Sequence, residues 1–283
     1  MKHELKRLEK NSFELTLTLP WDEVEKTYSQ VFEEVVKNAE LDGFRKGKAP
    51  KDLVEKKVDK NKLYEEVIKT LLPKAYGEAV QSENLKPVVN PQIETVEISE
   101  NKDWVFKAKA CEMPQVDLKD YKKTISDANA KEKIWVPGKD EIKPEEKDDK
   151  DKHFAKNMEL LLQTATVDLS EILVENELSR LLSELLDEIK RLGLSLDQYL
   201  TSTGKTQEQL RSEYREKAVN TLKLEFLLEK IAEAEKITVS DADLQKAIDD
   251  AKDEKVKATL TQNKYQLASL LKRQKTLDFL NGL

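Results

Sequence analysis

Reactive side chains are scarce in this sequence, and each scarcity excludes a class of function. Its one cysteine, Cys111, rules out an intrachain disulfide framework and offers no thiolate cluster for a metal. The two histidines, His3 and His153, lie far apart, so imidazole catalysis and zinc binding have almost nothing to work with. Glycine is sparse as well. Within the first 76 residues only Gly43 and Gly47 occur, and no Gly-rich phosphate loop is found anywhere. No apolar run approaches the roughly 18 residues of a membrane span. The opening Met1-Lys2-His3-Glu4-Leu5 alternates and lacks a signal-peptide core, so a cytoplasmic protein without a membrane partner is expected. Carboxylates are numerous, but Asp148-Asp149 and Asp249-Asp250 have no His, Cys or phosphate loop beside them and read as solvated faces. The expectation is a protein that is not an enzyme and uses no cofactor or metal.

Charge is what the chain has in abundance. Charged residues make up 37% and hydrophobic ones 38%, against roughly 25% charged in an average globular protein. That balance favours an elongated helical protein with much surface per residue. Basic and acidic residues number 49 and 56, for a net charge of −7, so any nucleic-acid contact has to be local.

Hydrophobic periodicity divides the chain. Phe13, Leu15, Leu17 and Leu19 alternate with polar residues, and Glu9-Lys10-Asn11-Ser12 supplies a turn from a first strand at 3–8. A helix follows, carrying Val24, Tyr28, Val31, Phe32 and Val35 on one face. Two more helices are expected at about 50–58 and 61–83, the second with a kink at Pro73. Strands at 92–98 and 104–111 then flank the turn 100–103. The order β-β-α-α-α-β-β gives an α+β head over 1–113, a four-strand antiparallel sheet covered by helices. Residues 114–152 read as an extended linker and charged connector, since 12 of the 16 residues in 137–152 are charged. From 153 to 283 the pattern is all-α. Leu178, Leu181, Leu182, Leu185, Leu186, Ile189 and Leu192 form one stripe closed by Gly193. Thr206 with Gln209, and Ser240 with Asp243, mark capped helix starts, and one last helix runs from about 255 to 281.

The stretch Gly43-Phe44-Arg45-Lys46-Gly47-Lys48-Ala49-Pro50 stands apart from all of this. Two glycines suit a tight loop, and Pro50 suits the first turn of the next helix. Arg45, Lys46, Lys48 and Lys51 occur with no acid between 44 and 51. A basic tip bearing an exposed Phe can grip phosphates while the ring enters an apolar crevice. The eight-residue string resembles the ribosome-docking loop of the trigger factor family of bacterial chaperones. That resemblance extends over roughly 1–118 as a ribosome-binding head and 153–283 as a helical body with two arms, the helices 173–192 and 206–236 forming an arm hairpin.

The resemblance implies an ATP-independent chaperone that docks near the exit tunnel of the large ribosomal subunit and binds nascent or unfolded polypeptides. Phe44 would enter an apolar recess on a ribosomal protein, and Arg45 and Lys46 would contact that protein or adjacent rRNA. Lys48 would add charge, while Gly43 and Gly47 shape the loop. A homodimer off the ribosome is open, as in other family members. The family's FKBP-type prolyl isomerase domain is expected to be missing, because about 35 residues separate Leu118 from Phe154, too few for a domain of its own. Scattered apolar side chains on the body would hold clients weakly, with Leu160–Leu162, Leu173, Leu178, Leu185, Phe226 and Tyr265 as candidates. The alternatives are a ribosome-independent holdase, a prolyl isomerase, or a periplasmic chaperone with a related body.

Overall fold

The computed structural model describes residues 2–40, 44–46, 50–132, 147–251 and 253–283. Its contacts divide into two units, Met1–Met113 and Pro114–Leu283.

The first unit is built on a four-stranded antiparallel sheet in the order β1-β2-β4-β3. Its strands are β1 (Lys2–Arg7), β2 (Ser12–Leu19), β3 (Gln92–Glu97) and β4 (Trp104–Cys111). The β1–β2 turn places Lys10 and Asn11 at φ 53° each, a left-handed pair that matches strand twist. β2 and β4 pair in register from Ser12 opposite Cys111 to Leu19 opposite Trp104. Period-two alternation therefore puts Phe13, Leu15, Leu17, Leu19, Trp104, Phe106, Ala108 and Ala110 on one face, all buried. On the other face Glu14 meets Lys107 at 3.4 Å and Lys109 at 3.7 Å.

Helices α1 (Trp21–Asn38), α2 (Lys51–Lys57) and α3 (Lys60–Ser82) follow β2. α3 closes the core with Val67, Leu71, Leu72, Ala75 and Ala79. It continues through Pro73.

The second unit is mostly helical. Residues 114–132, read as part of the linker, carry a short strand and a helix. Val116–Asp117 (β5) pairs with Thr166–Val167 (β6), and α4 (Tyr121–Glu132) buries Tyr121 and Ile125. Two apolar residues at i and i+4 suffice to hold one helical face, and the surrounding Lys and Asp disguise them. Part of the charged stretch, 133–146, lies outside the described residues, and 147–152 opens α5 (Lys147–Thr164). Then come α6 (Glu171–Arg191), α7 (Leu196–Thr203), α8 (Gln207–Ala234), α9 (Asp241–Asp249), α10 (Glu254–Gln262) and α11 (Lys264–Asn281).

Punctuation in this unit follows local chemistry. Gly193 and Gly204 adopt φ 72° and 67° after their helices. Ser195, Thr206 and Ser240 each form a complete capping box. The single helix expected over 255–281 is divided at Asn263, a residue whose short amide competes with helical hydrogen bonding. α6 packs on α8 through Leu178, Leu181 and Ala218.

Candidate functional site

The tip between α1 and α2 is carried by a small core of its own. α1 stops where Ala39 turns extended at φ −65°, ψ 132°. The chain becomes helical again after Pro50, whose carbonyl accepts the N–H of Leu53 at 3.1 Å and of Val54 at 3.2 Å. Below the tip, buried Val36 and Val54 pack with Phe32, Val35, Ala39 and Val58. An aromatic ladder ties this cluster to the sheet. Phe32 stacks on Tyr28 at 6.5 Å, Tyr28 meets Tyr64 at 5.7 Å, and Tyr64 stands edge-on to buried Trp104 at 5.2 Å. Burial pushes the Tyr64 hydroxyl up to about 12, helped by the hydrogen bond it donates to Glu100. It stays protonated and holds its bond at any ordinary pH.

On this support Phe44, Arg45 and Lys46 are all exposed. Phe44 leaves 43% of its surface in solvent, against the usual burial of aromatics in a folded core. Gly43, Gly47 and Lys48 lie outside the described residues. The run of cations is less uniform than the sequence implies, because Glu33 of α1 and Glu40 just after it reach the run. Lys51 is paired with Glu33 at 3.1 Å, and Lys46 lies 3.9 Å from Glu40. Both pairs are exposed and so weak. They still make Arg45 the cation at the tip with no acid partner among the described residues.

The second unit offers exposed apolar side chains in separate places. Leu186, Leu192 and Leu194 gather where α6 ends, and Val256, Tyr265 and Leu270 occur on α10 and α11. Leu192 is 68% and Tyr265 88% exposed. α8, residues 237–239 and α11 also enclose a groove of about 490 Å³, with Leu228, Ala232, Val239 and Tyr265 among its walls. Of the client-contact residues expected from the sequence, Leu161, Leu173, Leu178 and Leu185 are core instead. They sit on the stripes that join helices, and burial there outweighs display. Tyr265 alone among that set is strongly exposed. Leu192, read from the sequence as the last residue of the α6 stripe, is exposed together with Leu194 on the other side of Gly193, since a helix end leaves the face that packs.

A model of the bacterial trigger factor protein matches residues 1–143, and one of the trigger factor C-terminus matches 140–281. The chain belongs to the trigger factor family. It is 42% identical over 108 residues to the trigger factors of Staphylococcus aureus strains JH9 and Newman. Those matches cover 38% of this chain and 25% of each relative, so the likeness spans about a quarter of the curated relatives' length. A solved trigger factor chaperone structure, described for promiscuous substrate recognition in folding and assembly, aligns over 99% of both chains. Its TM-score is 0.62 at 15% identity, a likeness of fold. Among the described residues of this trigger factor relative, no group of His, Cys, Asp and Glu is placed to hold a metal, and no helix is long and apolar enough to cross a membrane.

Proposed function

We propose that this protein is an ATP-independent cytoplasmic chaperone that docks on the large ribosomal subunit through the 43–50 tip. Its helical unit then holds nascent or unfolded segments and delays their collapse. The observation that carries the reading is an exposed Phe44 beside exposed Arg45 and Lys46, between two helices whose facing ends share a buried core. An aromatic ring gains from entering an apolar recess, and the cations steer and anchor it by charge. Gly43, Gly47 and Lys48 complete the tip in this reading. Residues 1–113 dock, and the exposed apolar positions of 153–283 bind clients. Separate small patches suit weak, unselective holding, because each contact is individually poor and release needs no energy source.

Co-sedimentation with bacterial ribosomes tests it. Phe44→Ala/Arg45→Ala/Lys46→Ala should abolish binding that the unaltered protein shows, and raised salt should weaken that binding. Equal binding by both forms overturns the tip assignment. A protein that never binds ribosomes yet suppresses aggregation would be the free holdase.

The reading also takes the chain to work without prolyl isomerase chemistry. Only 14 residues connect Glu132 at the end of α4 to Lys147 at the start of α5, too few for a folded domain. A protease-coupled assay on a proline peptide should give the uncatalysed rate, and acceleration would refute this part. Pairing of two copies off the ribosome is read by sedimentation velocity, where a concentration-dependent shift marks a homodimer.

A further inference from the structure

We propose that the groove between α8 and α11 receives an amphipathic helix of a partner protein, one with cations along one flank of its apolar stripe and acids along the other. This goes beyond the unselective holding proposed above, because it assigns one place in the helical unit a partner of defined shape and charge. The groove holds about 490 Å³. Its floor is closed and apolar. Leu228 is 3%, Ala232 2% and Thr276 0% exposed, and the Thr276 hydroxyl is spent on the Lys272 carbonyl at 2.8 Å. α8 lends the groove Glu225 and Glu229, one helical turn apart, and α11 lends it Lys272 and Arg273. Among the described residues, none of these four has an ion-pair partner. Their neighbours Lys230 and Lys275 do, with Glu233 at 3.1 Å and Asp243 at 2.6 Å. One wall is thus acidic and the other basic, each with charge to spare.

An apolar seam between charged rims is the face that one helix of a bundle presents to another. The lining runs from Tyr265 to Thr276 along α11, roughly 16 Å at about 1.5 Å per residue, which is about three turns of a docked helix. An extended segment fits poorly. Buried peptide groups need partners, and α8 and α11 use theirs within the helices. In the third wall, the Ile237 N–H is bonded to the Ala232 carbonyl at 2.8 Å and the Thr238 carbonyl to Lys275 at 3.3 Å. A helix brings its backbone already bonded and lays down only side chains. Cations one turn apart on one flank meet Glu225 and Glu229, and acids on the other meet Lys272 and Arg273. Tyr265, 88% exposed, gains cover at the end of the groove.

The test is fluorescence anisotropy of the full protein with lactam-bridged helical peptides of about 15 residues that share one leucine stripe. Their flanks carry Lys on one side and Glu on the other, Lys on both, or Glu on both. The mixed peptide should bind about fivefold more tightly than either single-sign peptide. A proline-broken version of it should lose most of that affinity. Glu225→Lys/Glu229→Lys makes both walls basic, so the preference should pass to the Glu-flanked peptide. The melting temperature should be kept, because both positions are exposed. Ser269→Trp, which fills the groove from an exposed position, should weaken all the helical peptides together and still suppress aggregation of an unfolded protein. Equal affinity for the three peptides, or a preference that the double variant does not move, overturns the inference. So does a Ser269→Trp variant that binds the mixed peptide like the unaltered protein. Loss of aggregation suppression in Ser269→Trp makes the groove part of the general client surface and overturns its separate role. Helix binding by a protein that never suppresses aggregation supports this inference and refutes the holding function instead.

Discussion

The two units of this chain solve the burial problem in opposite ways. In the first, strands 12–19 and 104–111, far apart in sequence, lie side by side, and one apolar cluster runs from the sheet through α3. In the second, α6 meets α7 and α8 through small apolar clusters, beside a further buried set that includes Ile125, Leu161, Leu227, Ile231 and Leu280. Leu185, Ile189, Leu200 and Leu210 form one, while Leu178, Leu181 and Ala218 form another. Ion pairs between α6 and α8 supplement them. Arg215 reaches Glu171 at 2.5 Å and Glu175 at 2.6 Å, and Arg211 shares Glu175 at 2.6 Å. A continuous core ties the strands and α3 into one cooperative unit. Small local clusters open at lower cost than a continuous core.

Four substitutions can break or sharpen that contrast. Trp104→Ala removes the largest fully buried side chain and the foot of the aromatic ladder. It should cost about 3–5 kcal/mol. Hydrogen exchange should show protection lost across all four strands and α3, and a loss confined to β4 would deny that the core is continuous. Leu178→Ala, in the cluster between α6 and α8, should cost about 2–3 kcal/mol, with lost protection limited to α6 and α8. If it spread to α9–α11, the clusters would not be independent.

Arg215→Met should cost at most about 1 kcal/mol, because the pairs are partly exposed, and the loss should shrink in high salt. A salt-insensitive loss would assign the residue's role to packing instead.

The smallest effect concerns Asp243. Its carboxyl is held well below the usual range by Lys275 at 2.6 Å and by the Ser240 backbone and hydroxyl. A depressed carboxylate stabilises the fold above its unfolded pKa, about 3.9, and loses that contribution as pH falls through the folded value. The melting-temperature gap between the unaltered protein and Asp243→Asn should hold from neutral pH to about pH 5 and narrow progressively as pH falls below about 4. A constant gap would mean that the charge plays no part.

Much of the fold was legible because it is written locally. Alternation over 13–19 fixed which face of β2 is buried, and Ser240 with Asp243 marked the start of α9. The exposure of Phe44, Arg45 and Lys46 was legible too, since a short polar stretch between two helices has no core to enter. Three things escaped. Ile125 and Tyr121 look like isolated apolar residues in a polar stretch, so α4 was hidden. Leu178 and Leu185 looked available to clients but face α8 and the α7 turn. Lys51 looked like a free cation until α1 placed Glu33 against it.

The sequence by itself determined the periodicities, the caps and turns, and the chemical character of the tip, because each depends on residues within a few positions of one another. Tertiary structure alone decided which leucines are core and which are displayed, which cations are already paired, and that Leu53 faces outward while Val54 faces in. Those outcomes depend on what lies opposite in space, and only the packed chain brings those partners together.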